Sequence, residues 1–196
     1  MLTAFHERID DVVDRVPVVA ADGEVFDAPG NLGRGTRDGL VLELGLSLGS
    51  LGLRGARLTA DVLWQRSRVD DPTTGTSRRI SGDTPLEGDL GFEQVLHDGA
   101  TTWGIDVGLA EEEVEYRFDQ VSRETEGVTW RLYGERRFGD GWRARAELVD
   151  AGGQRFGRVR DRYDGPRTDA PAGTRETRVH RMPGVLMLTL RRDFGG

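Results

Sequence analysis

The side chains best equipped for chemistry in this sequence are arginines and carboxylates. Arg155, Arg158, Arg160, Arg162 and Arg167 recur at short intervals, interleaved with Phe156 and Tyr163. Guanidinium forks of this kind suit an anionic small molecule. Asp161, Asp164 and Asp169 lie among them, so the plainer reading is a charge-balanced, solvated loop. Arg155, Arg158, Arg160, Arg162 and Tyr163 are the candidate ligand contacts. The run Glu111-Glu112-Glu113 with Glu115 clusters the hard oxygens a cation needs, but it reads more simply as a solvated strand end.

Other chemistry is poorly supplied. The absence of cysteine removes thiolate nucleophiles, disulfides and thiolate zinc sites. His6, His97 and His180 stand alone, without the spacing of a catalytic triad or a metal site. The glycines between Gly30 and Gly35 lack the lysine and the strand-loop-helix setting of a phosphate loop. No catalytic residue, metal or cofactor is expected, and the chain reads as a non-enzyme. A net charge of -7 argues against nucleic acid, which is bound by neutralising phosphates.

The elements that must carry these residues are strands. The 196 residues hold 28 glycines, with 36% hydrophobic and 31% charged residues, a mixture suited to many short strands joined by turns. A single architecture over residues 1–196 accounts for the length. No stretch approaches the ~20 apolar residues of a membrane helix, and the segment after Met1 lacks the apolar run of a secretory signal.

Leu40, Leu42, Leu44, Leu46 and Leu48 alternate with Val41, Glu43, Gly45 and Ser47, which is the period of a strand. Ala56 to Trp64 repeats the pattern and completes a hairpin. Leu90 and Phe92, the turn at His97-Asp98-Gly99-Ala100, and Trp103, Ile105, Val107 and Leu109 form a second. Val128 to Phe138, the turn Gly139-Asp140-Gly141 and Trp142 to Leu148 form a third. Val185 to Phe194 is the closing strand. Leu2 to Val13 reads as one more strand, with a helix as the alternative.

Connections at 49–55, 97–101 and 139–141 are short, whereas those near 14–38, 70–87, 119–127 and 150–183 are long and polar. Strict alternation of short and long connections is the pattern of an antiparallel up-and-down transmembrane barrel, here of about eight strands. Trp103, Phe138, Trp142 and Phe194 fall at the short-turn ends; Trp64, Tyr116, Phe118 and Trp130 fall toward the others, as two aromatic girdles would. Glu43, Arg57, Asp61, Glu93, Asp106, Arg131, Glu135, Arg143, Arg145 and Glu147 would then line a hydrated interior. Alternation alone does not say which face is outside, since a soluble barrel shares the period.

Three segments carry a resemblance: FDAPGNLGRGTRDGLVLEL from Phe26, GLRGARLTADVLWQRSRVDDPTTGTSRRISG from Gly52 to Gly82, and VLMLTLRRDF from Val185 to Phe194. In this order they resemble the later barrel strands of TonB-dependent receptors of Gram-negative outer membranes, over nearly the whole chain. Two glycines follow Phe194, where the family usually ends on the aromatic. Glu147-Leu148-Val149-Asp150 stands where many members have an Asn-Leu pair. The family's N-terminal plug and its TonB-contacting segment have no counterpart in these residues.

The resemblance implies a C-terminal part of a larger barrel of about 22 strands. It implies an outer-membrane location, contact with lipid, and uptake of a scarce nutrient, a ferric siderophore by default, with TonB engaged only through the plug region. Leu186, Leu188, Leu190 and Phe194 would form the terminal strand presented to the barrel-assembly machinery. Two rival readings stay open: a self-contained eight-strand outer-membrane barrel with a structural or adhesive role, and a soluble lipocalin-like binding module with the leucines turned inward.

Overall fold

The computed structural model describes residues 1–139, 141–168 and 172–193, and every regular element in them but one is a β-strand. The exception is a single 3-10 turn at Gly49–Leu51. The chain runs through β1 (Leu2–Ile9), β2 (Val13–Val19), β3 (Val25–Asn31), β4 (Gly35–Ser47) and β5 (Ala56–Asp70). There follow β6 (Ser77–Arg78), β7 (Leu86–Val95), β8 (Thr101–Gly108), β9 (Glu111–Tyr116) and β10 (Gln120–Glu126). The last five are β11 (Thr129–Phe138), β12 (Trp142–Val149), β13 (Gln154–Arg162), β14 (Thr174–Met182) and β15 (Val185–Arg192).

All pairings are antiparallel, and they make three sheets. The largest has nine strands in the order β1-β4-β5-β7-β8-β11-β12-β15, with the short β6 beside β5. A second sheet runs β14-β13-β10-β9, and β2 pairs with β3. Neighbours in the large sheet are joined by the short turns or are separated by an inserted hairpin. The outer edges of β1 and β15 have no strand partner.

Register places the alternating apolar positions on one face, since directly opposed residues in an antiparallel pair point the same way. Leu2 lies opposite Leu42, Leu42 opposite Val62, Leu58 opposite Phe92, and Phe92 opposite Ile105. The row continues through Ile105 with Leu132, Leu132 with Leu148, and Leu148 with Leu186. No other layer covers this face among the described residues: the strands contact their sheet neighbours and little else. Leu44 is accordingly 38% exposed and Leu188 76% exposed. The one apolar cluster, Val12, Val69 and Ile80 with Ile9 and Leu32 against it, sits at the long-connection end.

The strand readings of the sequence hold for the large sheet, with two corrections. The first strand ends at Ile9 rather than Val13, and Val13 opens β2, so the helical alternative for that segment does not occur. The long connections are folded rather than loop-like. They contain β2, β3, β6, β10, β13 and β14, because their many charged side chains are satisfied by pairing across strands instead of by water alone. No helix among the described residues is long and apolar enough to cross a membrane, a statement that does not bear on spanning strands. Phe194, Asp140 and Asp169 lie outside the described residues.

Candidate functional site

The arginine run occupies β13, whose alternation separates its members. Arg158, Arg160 and Arg162 share one face with Phe156, while Arg155 points to the other with Gly157 and Val159. Tyr163 follows the strand end, and its N–H donates to the Asp119 carbonyl at 2.8 Å. The structure therefore brings three of the five candidate contacts together and parts Arg155 from them. This is the predictable result of a strand where a loop was expected.

The same face of the β14-β13-β10-β9 sheet has a strong charge division. Register aligns Glu113, Glu124, Arg158 and Arg178 in one row, and Glu111, Glu126, Phe156 and His180 in the next. The Arg158 guanidinium reaches Glu124 at 2.5 Å, Arg160 lies 3.7 Å from Glu176, and Arg162 Nε donates to Gln120 at 3.4 Å. Between the acidic and basic halves lies a cleft of about 350 Å³ lined by Glu111, Glu113, Glu126, Phe156, Arg178 and His180. The Glu111 carboxyl is pushed above its usual range, first by desolvation and then by Glu126, Glu87 and Asp89. The acidic run lies in strand β9, with Glu111 and Glu113 exposed, in place of a cation site. The described residues contain no group of three or more carboxylates and imidazoles arranged to hold a metal ion.

A buried ionic knot holds the connections in place around this sheet. Asp71, 2% exposed in its side chain, accepts from Arg167 at 2.7 Å, from Arg78 at 3.1 Å and from the Thr73 N–H at 2.9 Å. Arg78 also donates to Asp14 at 2.9 Å, and both guanidiniums lie over the ring of Tyr116, Arg78 at 4.5 Å and Arg167 at 5.4 Å from its centre. Tyr116 is therefore absorbed by cation–π contacts in the knot. Phe118 N–H donates to Asp27 at 2.8 Å. Neither residue belongs to the large sheet, so neither joins an aromatic girdle with Trp64 and Trp130.

Comparison with family models, with curated proteins and with solved structures finds no match to this chain.

The polar face of the large sheet is a second network. Glu43, Asp61 and Asp89 align in one row, and Arg57, Glu93, Gly104, Tyr133 and Glu147 in another, so the residues expected to share a face do so. At its centre the Tyr133 hydroxyl donates to Glu93 at 2.8 Å, and Arg145 lies 4.3 Å above its ring. Arg131 pairs with Asp106 at 2.6 Å, Arg145 with Glu147 at 3.0 Å and Arg143 with Glu135 at 3.7 Å. Gly104 makes the hub possible, because a Cβ there would meet the Tyr133 hydroxyl at 2.5 Å. Sequence reading identified the charged members of this network but passed over Tyr133. The signal available was a tyrosine in polar parity directly opposite a glycine, an aromatic-over-glycine pairing known to stabilise strands.

Leu186, Leu188 and Leu190 lie on the apolar face of β15, all strongly exposed.

Proposed function

We propose that this chain is a segment of an outer-membrane β-barrel of the TonB-dependent receptor type, its apolar sheet face toward lipid and its polar face toward a hydrated interior. One observation carries the reading: a continuous apolar face crosses the large sheet from β1 through β4, β5, β7, β8, β11 and β12 to β15, and among the described residues no layer covers it. Soluble monomers rarely expose apolar patches beyond a few hundred Å². Hydrocarbon is the solvent in which such a face is stable. Trp103, Phe138 and Trp142 near the short turns, with Trp64 and Trp130 near the long connections, border the band as interfacial aromatics do.

The free edges argue for a larger barrel. In lipid each unpaired backbone group costs several kcal/mol, so the edges of β1 and β15 need partner strands. A self-contained barrel would pair β1 with β15, and a lipocalin-like module would turn the leucines inward; among the described residues β1 and β15 are not paired and the leucines are exposed, which favours the larger barrel. In the proposed protein the β14-β13-β10-β9 sheet stands outside the cell, and Arg158, Arg160 and Arg162 face the nutrient, a ferric siderophore by default. TonB would act through a plug region not contained in this sequence, and β15 would be the strand offered to the assembly machinery.

The face assignment is tested by refolding the chain into lipid vesicles and measuring insertion. Leu44→Arg puts a charge in the middle of the lipid face and is expected to cost about 2–4 kcal/mol of insertion, whereas Glu43→Gln on the polar face is mild. Equal tolerance of the two substitutions overturns the reading.

A further inference from the structure

The apolar face is not uniform. Across β8, β11, β12 and β15 the register aligns Trp103, Gly134, Ala146 and Leu188 in one row and Thr101, Arg136, Ala144 and Leu190 in the next. The small side chains of Gly134, Ala144 and Ala146 form the floor of a groove of about 580 Å³, with Trp103 as one wall and Leu188 and Leu190 as the other. A Cβ built on Gly134 would meet no atom within 4 Å, so the depression is open above that residue.

Arg136 stands at the short-turn end of this groove, on the apolar face rather than with the paired arginines of the polar face. Among the described residues it forms no ion pair; Asp98 is held low chiefly by hydrogen bonds from Thr101, with the charge of Arg136 a minor cause. Beyond the lining of the groove, Arg192 lies over the Trp142 ring at 5.4 Å. An apolar trough that ends in an arginine beside interfacial tryptophans matches a molecule with a hydrocarbon chain and an anionic head.

We propose that this groove is a binding site for an anionic phospholipid of the leaflet at the short-turn end, one acyl chain lying over Gly134 and Ala146 and the phosphate engaging Arg136. The inference rests on the membrane reading above and specifies a ligand class for a surface outside the nutrient site. A zwitterionic phospholipid fills the trough equally well but gives Arg136 less net charge to meet. Selectivity between the two headgroups is therefore the property to measure.

The experiment uses the full chain refolded into vesicles containing phosphatidylglycerol or phosphatidylcholine with brominated acyl chains, which quench tryptophan on contact. Insertion is first established by co-flotation of the chain with the vesicles. Phosphatidylglycerol is expected to be enriched at the groove about fivefold over phosphatidylcholine, the preference that one basic residue near an anionic surface confers. Arg136→Gln should bring that ratio to about one while insertion is retained. Gly134→Leu, which fills the trough into open space, should reduce quenching by both lipids, and Trp103→Phe should remove the groove-dependent signal. An inserted protein with equal quenching by the two lipids, or with a preference that survives Arg136→Gln, overturns the lipid site and leaves the membrane reading standing.

Discussion

With 2% of its side chain exposed, Asp71 holds two guanidiniums that have no bulk water to turn to. Burial by itself pushes its carboxyl up, but hydrogen bonds from Arg167 and Thr73 and the charges of Arg167 and Arg78 hold it below the usual range. Removing one member of a buried ionic group leaves the others uncompensated, so Asp71→Ala is expected to cost about 3–5 kcal/mol of local stability. Amide hydrogen exchange at Ser77–Arg78 and around Arg167 would report it. The glycines give a paired prediction. Gly104→Ala drives a methyl against the Tyr133 hydroxyl and the Phe92 carbonyl at 2.6 Å, and should cost about 1–3 kcal/mol. Gly134→Ala enters open space and should gain about 0.5–1 kcal/mol through lower chain entropy when unfolded. Urea titration of the two variants in micelles decides whether the faces differ as described.

The strands of the large sheet were legible because one of their faces is apolar, and period two is visible only where the two parities differ in character. Leu40 to Leu48 and Trp142 to Leu148 show it plainly. In β10, β13 and β14 polar side chains occupy both parities: Arg160 and Arg162 flank Asp161, and Glu124 and Glu126 flank Thr125. The alternation leaves no clear trace there, and these segments read as loops, while the acidic run of β9 reads as a solvated strand end. The arginine candidates were visible as residue types, but Arg155 could not be parted from Arg158 without knowing that the segment is extended. Such a ladder depends on its ion pairs and therefore on pH. The Asp161 carboxyl is held below its ordinary value of 3.8, first by a hydrogen bond from Arg175, 2.6 Å away. A depressed carboxylate contributes stability above its unfolded pKa and loses it as pH falls through the folded value. The amide NMR shifts of β14 should therefore begin to move toward unpaired values below pH 3.8, and Asp161→Asn should flatten that dependence.

For the molecule as a whole, the decisive quantity is the balance between satisfied and unsatisfied surfaces. Interior strands of the large sheet are paired on both sides, whereas among the described residues β1 and β15 each present one row of N–H and C=O groups to no partner strand. Unpaired edges template association. Hydrogen exchange of the chain in micelles should show half of the amides of β1 and β15 unprotected, while those of β5, β8 and β11 are protected throughout. Uniform protection of both edge strands at dilutions that abolish association would contradict the open sheet. The arrangement of three sheets has a further effect on assembly. Strand β10 belongs to the connection between β8 and β11, and β13 to that between β12 and β15, yet the two pair from Gln120–Arg162 to Glu126–Phe156. Their alignment can be completed only when β11 and β12 beneath them have met in the right phase. A slip of one residue below would turn every side chain of β12 to the wrong face, and it would also deny Glu124 its Arg158. The outlying ladder thus acts as a vernier on the large sheet, in which a misregistered strand is detected by charges that fail to meet.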